Sequence, residues 1–440
     1  MDNYIPLLCK KYGQYINAFR AFPSENDGLK LVERRNLFSV HELAKDKFTK
    51  SARINGHTMG NFHPHGDTYL VLVNLVNRGL VCGQGSFGSN RGVSPTGPAA
   101  MRYTEVKSSK FVEKICFENI KYSNWFINDM GQKEPLSFPV MLPMCFLGDD
   151  YVQGIGYGFR TFICTFNYKH LIKRLMWLLG KSKNKPTIKP KSDCTILSTD
   201  DEIEKLLTTG EGEIEVIGKF KEDKINNKIY LYSWPQSKTF EGIISKIDSF
   251  EKKDVGYMDI SDEDNGCCIC FEVIRRKNQT DVYNEFLKEL KQKITGKLHF
   301  SINLCNDGGL IKKFSVDDLL VKIYNNFVNI NKISLESKIK TIEDKKNEYL
   351  ILLKIRPYLK LVLDNKLNMI DKIQILSDKS KVATETIKSL FQKYSIEKLL
   401  KIEIDISELE NDINIYKSNL SNIDVYVLNQ YAQIENLIEN

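Results

Sequence analysis

No apolar run in this chain is long enough to cross a membrane and no signal peptide opens it, so neither an embedded nor a secreted protein is expected. Nor is there a paired CxxC…CxxC frame. The 10 cysteines are scattered, which points to reduced thiols inside a cell rather than a disulfide scaffold. The one cluster, Cys267-Cys268-Ile269-Cys270, lacks zinc spacing and reads as a buried strand. The absence of a Gly-x-x-x-x-Gly-Lys-Ser/Thr loop excludes a P-loop nucleotide site. No Glu…Asp-x-Asp cluster stands out as a magnesium cage, and there is neither an internal repeat nor a low-complexity domain.

What is present is a globular composition. An apolar share of 42% over 440 residues supports a packed core and about two to four domains. The net charge of +7 permits an anionic partner without demanding one.

Residues 4–20 place Ile5, Leu8, Tyr12, Tyr15, Ile16 and Phe19 at helical spacing, which predicts an amphipathic N-terminal helix. The run Tyr69–Val76 is apolar nearly all round; Asp67 would cap it as a helix, while its β-branched content would suit a strand. Around 190–310 the pattern turns to β alternation, with helical stretches near 239–248 and 279–293. From 331 it becomes helical. Leu335, Ile339, Ile342, Tyr349 and Leu353 follow heptad spacing broken by Lys346, and Pro357 stops or kinks the helix. Ile402, Ile406, Leu409, Ile413, Tyr416, Leu420 and Ile423 keep the 4–3 spacing without a fault. Two heptad segments around a globular island predict an antiparallel coiled coil with a knob at its tip.

The chemistry-bearing residues lie early. Arg102 precedes Tyr103 within Ala99-Ala100-Met101-Arg102-Tyr103-Thr104-Glu105, and His63 and His65 stand in His63-Pro64-His65-Gly66-Asp67. A tyrosine hydroxyl can attack a phosphodiester, but only about one tyrosine in a thousand is ionised at neutral pH. Neighbouring cations favour the phenolate and offset charge growing on the phosphate. The histidines also fit part of a His-x-His-x-Asp-His metal motif, yet its last position here is Thr68. Lys30, Arg34, Arg35, Lys50 and Arg53 are candidate contacts to a nucleic-acid backbone. Gly83–Gly88 reads as a turn that lets backbone approach the tyrosine loop.

These motifs, with Lys50-Ser51-Ala52-Arg53-Ile54, Gly83-Gln84-Gly85-Ser86-Phe87-Gly88-Ser89 and Asp27-Gly28-Leu29-Lys30, occur in the order found in the A-type subunits of type IIA DNA topoisomerases, which the chain resembles over nearly its whole length. The resemblance implies an α+β multidomain fold. It would comprise an N-terminal helical arm (1–26), a winged-helix breakage-rejoining domain (27–165), an α/β tower domain (166–328), a coiled coil with a globular dimer gate (329–425, tip about 358–395) and a helical tail (426–440). It implies Tyr103 as nucleophile, with Arg102, His65, His63 and Arg20 around the attacked phosphate. It also implies a recognition helix after Asp67, DNA contact by Thr68, and Ile155 of Gly154-Ile155-Gly156 as a wedge that bends the duplex.

A homodimer of this chain would work within a hetero-tetramer on double-stranded DNA, with a B-type partner supplying ATP binding and the Mg2+ ligands. The N-terminal arm would reach that partner assembly. The place of action would be the cytoplasm of a bacterium or phage-infected host, at the nucleoid. Ile423 lies close to Asn440, leaving no room for the β-pinwheel that the gyrase A-type subunits use to wrap DNA, so a compact phage-like enzyme that relaxes and decatenates is expected. The family's drug-anchoring serine and acidic positions fall on Thr68 and Leu72. A non-catalytic winged-helix DNA-bending protein is the alternative, and it has no need of the Arg102-Tyr103 pair.

Overall fold

A computed structural model describes residues 4–89, 93, 95–252, 254–262, 266–274, 280–363, 367–403 and 405–437. The predicted N-terminal helix forms as α1 (Tyr4–Ile16) and runs into a π-helical turn, Asn17–Ala21. Its apolar stripe, Ile5, Leu8, Tyr12, Tyr15 and Phe19, faces solvent rather than its own chain.

Three helices follow, α2 (Leu31–Ala44), α3 (Ser51–Asn61) and α4 (Tyr69–Asn77). They accompany the strands β1 (Thr49–Lys50), β2 (Val81–Gln84) and β3 (Glu105–Ser108), antiparallel in the order β1-β3-β2. The ambiguous run after Asp67 is the helix α4. Leu72 and Leu75 lose all solvent contact there, and Asp67 Oδ1 accepts the Tyr69 N–H at 2.9 Å. Burial outweighs the strand propensity of its valines.

Beyond lie two hairpins, β4 (Trp125–Ile127) with β5 (Lys133–Pro135), and β6 (Val152–Ile155) with β7 (Arg160–Ile163). The strands β8 (Thr195–Ile196) and β9 (Glu211–Ile217) precede a four-stranded sheet. That sheet comprises β10 (Phe220–Asp223), β11 (Lys228–Leu231), β12 (Val255–Asp259) and β13 (Ile269–Val273), ordered β10-β11-β13-β12. Helices Phe240–Ile244 and Thr280–Ile294 pack on it through Phe240, Ile243, Phe286 and Leu290. The cysteine cluster leads into β13, with Cys268 and Cys270 buried, as its composition predicted.

Next comes β14 (Thr295–Ser301), which completes a five-stranded sheet ordered β6-β7-β14-β9-β8. This sheet draws strands from both sides of residue 165, so the expected division there runs through one sheet. By its contacts the chain divides instead into residues 1–327 with 433–440, and 328–432.

In the second unit, which takes up the long helix Val316–Ile355 from residue 328 on, that helix meets helix Ile406–Ser421 in antiparallel fashion. Lys346 pairs with Glu410 at 2.7 Å and Lys417 with Glu343 at 2.8 Å. Buried positions along the pair include Leu335, Ile339, Leu352 and Ile355 on one helix and Leu409 and Ile413 on the other. Two details differ from the heptad reading. Leu352 takes the inner position assigned to Leu353, which is exposed. The second repeat is not faultless, because the helix stops at Ser421 and restarts at Ile423 around Asn422, whose backbone is non-helical. Between the long helices, Pro357 opens a 3-10 segment, Arg356–Val362. Short helices then gather Leu359, Leu376, Ile387, Leu390 and Leu399 into a separate small core.

Candidate active site

Tyr103 sits on the 99–104 loop between β2 and β3, and that loop is held from several sides. Ser51 at the start of α3 donates its N–H to the Thr104 carbonyl at 3.0 Å, and Ala52 donates to Met101 O at 3.2 Å. The Thr104 hydroxyl donates to Ser51 Oγ at 2.8 Å. The Tyr69 hydroxyl of α4 donates to the Ala99 carbonyl at 2.6 Å and lies 3.0 Å from Thr104 Oγ1. Across the β2 turn, Ala99 N–H donates to Ser86 O at 3.0 Å, and Gly85, with φ +99°, passes tightly against the Tyr103 carbonyl. Only glycine adopts that φ without strain. The loop is therefore rigidly mounted while its tyrosine points outward, 64% exposed. The Arg102 guanidinium lies 4.6 Å from the centre of the Tyr103 ring.

A second cluster forms around the histidines. Arg35 Nη1 lies 3.3 Å from His63 Nδ1, and the His63 and His65 rings meet edge to face at 5.4 Å. His65 Nε2 is 3.5 Å from the Tyr15 hydroxyl of α1. Burial, and then the nearby charges of Arg35, His65 and Arg20, push the His63 pKa down to about 4. His63 is thus a neutral ring at physiological pH, amid exposed Arg20 and His65. With a guanidinium facing its Nδ1, this pair is unsuited to ligate a cation. Among the described residues, no set of three or more His, Cys, Asp or Glu is gathered to hold a metal ion. The Tyr103 loop and the histidine cluster are separate, and among the described residues no hydrogen bond joins them.

The other expected contacts divide sharply. Lys50 and Arg53 are exposed on one side of the tyrosine loop, although Lys50 pairs with Glu105 at 2.8 Å. Arg34 is not free to meet a ligand. It is buried, bonding Asp27 through Nε at 2.6 Å and Nη2 at 2.9 Å. The Asp27 carboxylate also accepts the Leu29 and Phe138 N–H groups at 3.0 Å each, so the Asp27-Gly28-Leu29-Lys30 segment is a structural knot. Arg35 is engaged by Glu134 at 2.6 Å. Lys30 donates its ammonium to the Gln153 carbonyl, and burial lowers its pKa. Thr68 is buried too, its hydroxyl donating to Asn55 Oδ1 at 2.8 Å, which removes it as a surface contact.

Ile155 is 87% exposed beside the β6–β7 turn, flanked by exposed Tyr157 and Phe159. The π-helical turn presses against this hairpin so closely that Gly154 and Gly156 have no room for a β-carbon. Two residues of this region escaped the sequence reading. Glu134 sits in an unpatterned hairpin strand, and Asn17 looks like one polar residue in an amphipathic helix. A helix that continues past the usual apolar spacing into Asn17–Ala21 was the only available signal for the latter.

The site thus consists of two groupings, an exposed tyrosine under a guanidinium on a loop gripped by a helical unit, and a cluster of arginine and neutral histidine. The chain belongs to the family of DNA gyrase and topoisomerase IV A-type subunits, whose model matches residues 20–439. Among its relatives is the A-type subunit of DNA gyrase from Borreliella burgdorferi, 27% identical over 97% of this chain and 55% of that protein. The A-type subunit of DNA topoisomerase 4 from Streptococcus pneumoniae is 30% identical over 63% of this chain and 36% of its own length. Its gyrase counterpart from Helicobacter pylori is 31% identical over 66% of this chain and 37% of its own. The chain spans about half the length, or less, of these curated relatives. No helix among the described residues is long and apolar enough to cross a membrane.

Proposed function

We propose that this chain is the DNA-breaking and rejoining subunit of an ATP-dependent type IIA topoisomerase. The observation that carries the reading is Tyr103, outward-facing on a fixed loop with the Arg102 guanidinium 4.6 Å from its ring centre. The Tyr103 oxygen attacks a phosphodiester phosphorus. A phosphotyrosyl bond forms, the bond from phosphorus to one deoxyribose oxygen breaks, and that oxygen leaves with a proton. Reversal reseals the strand. Arg102 offsets the charge that develops on the phosphate. His63, neutral, contacts the phosphate with Arg20. His65, the more exposed ring, accepts or relays the tyrosine proton.

The helices α2–α4 with the sheet β1-β3-β2 are read as a winged helix, with α4 as its recognition helix. The four-stranded sheet, with β8, β9 and β14 of the five-stranded one, falls within 166–328 and is read as the tower. The antiparallel helix pair with its small core is read as a coiled coil ending in a dimer gate. Exposed Lys50 and Arg53 run along the backbone of the duplex, and Ile155 wedges between base steps to bend it. The apolar stripe of α1 supports its docking on the partner assembly. The working complex pairs a homodimer of this chain with a B-type partner that binds ATP and carries the Mg2+ ligands. The test is denaturant trapping in the presence of DNA, Mg2+ and the B-type partner: a covalent protein–DNA adduct through Tyr103 is expected, and its absence refutes the reading.

A further inference from the structure

Glu134 lies on β5 opposite Phe126 of β4 and is 3% exposed. Both of its carboxylate oxygens serve one partner: Arg35 Nε donates to one at 2.9 Å and Nη2 to the other at 2.6 Å. A carboxylate so deeply buried is costly to desolvate, and a bidentate guanidinium is the arrangement that best offsets the cost. The grip leaves the third guanidinium nitrogen, Nη1, aimed at His63 Nδ1 at 3.3 Å. The hairpin itself is anchored to the end of α3, since Asn128 Nδ2 donates to the Asn61 carbonyl at 3.0 Å.

A guanidinium has donors only. The ring nitrogen facing it must therefore present a lone pair, and the His63 proton must reside on Nε2. We infer that Glu134 is a positioning residue, clamping Arg35 so that it locks His63 as the Nε2–H tautomer. This rests on the proposed reading of His63 as a phosphate contact, and it gives that contact a direction. His63 donates from Nε2 to a phosphate oxygen and does not serve as the base. The charged and titratable groups acting on the ring are Arg35 from α2, Arg20 from the π-helical turn and His65 from its own loop, with Glu134 behind Arg35. His65 is held differently, its Nε2 lying 3.5 Å from the Tyr15 hydroxyl.

The test uses the full chain labelled with 15N-histidine. It has only 6 histidines, and a His63→Gln variant assigns the relevant signals. A two-bond 1H–15N correlation spectrum at neutral pH should show His63 as the neutral Nε2–H form. In Glu134→Ala the signals should move toward the averaged positions of two exchanging tautomers, with Glu134→Gln in between. With the B-type partner, Mg2+ and DNA, Glu134→Ala should slow formation of the covalent adduct by about tenfold or more, on the order expected for a misplaced group. DNA affinity should be unchanged. An Nδ1–H or doubly protonated His63 in the unmodified chain overturns the inference, as does an unaltered spectrum in a folded Glu134→Ala variant. If that variant does not fold, the unmodified chain and Glu134→Gln decide. The spectrum needs neither DNA nor partner. Were Tyr103→Phe still to form adducts while His63 stayed Nε2–H, the proposed nucleophile would fail and the tautomer lock would stand.

Discussion

Asn17 holds Tyr157 by both sides of its backbone, its Oδ1 accepting the Tyr157 N–H at 2.8 Å and its Nδ2 donating to the Tyr157 carbonyl at 3.4 Å. This pair fixes the turn beside Ile155 without touching Ile155 itself. Ile155→Ser should therefore leave the melting temperature within a degree or two, since exposed substitutions rarely exceed about 0.5 kcal/mol. It should reduce the bend angle of bound duplex, measured by energy transfer between labelled DNA ends. An unchanged angle would remove Ile155 as the wedge. Asn17→Leu should lower both bend angle and stability, because it leaves two part-buried backbone groups of Tyr157 without their partner.

Tyr103→Phe removes a hydroxyl that has no hydrogen-bond partner among the described residues. Folding and DNA affinity should be retained, and covalent adducts and strand passage abolished. Gel analysis after denaturant quenching checks this, and surviving adducts would exclude Tyr103.

Arg34 and Arg53 make opposite predictions. Arg34→Ala leaves Asp27 as an uncompensated buried charge and should cost about 3–5 kcal/mol of stability. Arg53→Ala should be nearly neutral in stability but reduce the slope of log affinity against log salt by about one. Denaturant unfolding and a salt titration of DNA binding separate the two. A large salt effect confined to Arg34 would contradict its burial.

His63 has a folded-state pKa depressed to about 4, against about 6.5 when unfolded. Between these values the unfolded chain binds the extra proton, so its contribution to stability is present above pH 6.5 and is lost as pH falls toward 4. His63→Gln should flatten that part of the stability–pH curve. Identical curves for both proteins between pH 4 and 6.5 would show that the ring is not desolvated.

Fluoroquinolones should not trap cleavage by this protein. Leu72 is fully buried and offers no acceptor, and the Thr68 hydroxyl is committed to Asn55. Trapping at concentrations that poison a sensitive enzyme would refute this.

The sequence displays the candidate reactive residues more clearly than their surroundings. Arg102-Tyr103 and the two histidines stand out as candidates because the chemistry proposed for them lies in the side chains themselves. Arg34 and Thr68 were misjudged because burial depends on what folds over a residue. The partner of Arg34 is seven positions away, but that partner, Asp27, is also held by the Phe138 N–H, 111 residues further along. Glu134 was invisible for the same reason: it meets Arg35 99 residues away. Helices were read well wherever one face is buried. The heptad reading slipped to Leu353 next to Lys346, a polar seam residue satisfied by Glu410, which periodicity alone cannot supply.

The position of β14 also sets a schedule for folding. It pairs with β7 and β9, yet Ser301 meets Phe162 only after the entire four-stranded sheet has been made between them. During synthesis β7 and β9 emerge early and wait with unpaired edges for a strand still inside the ribosome. Long-range pairing of this kind is slow and leaves those edges open to the wrong partner meanwhile. Chains released before residue 301 would thus be the ones prone to aggregate, and the yield of native protein would depend on how quickly translation delivers β14.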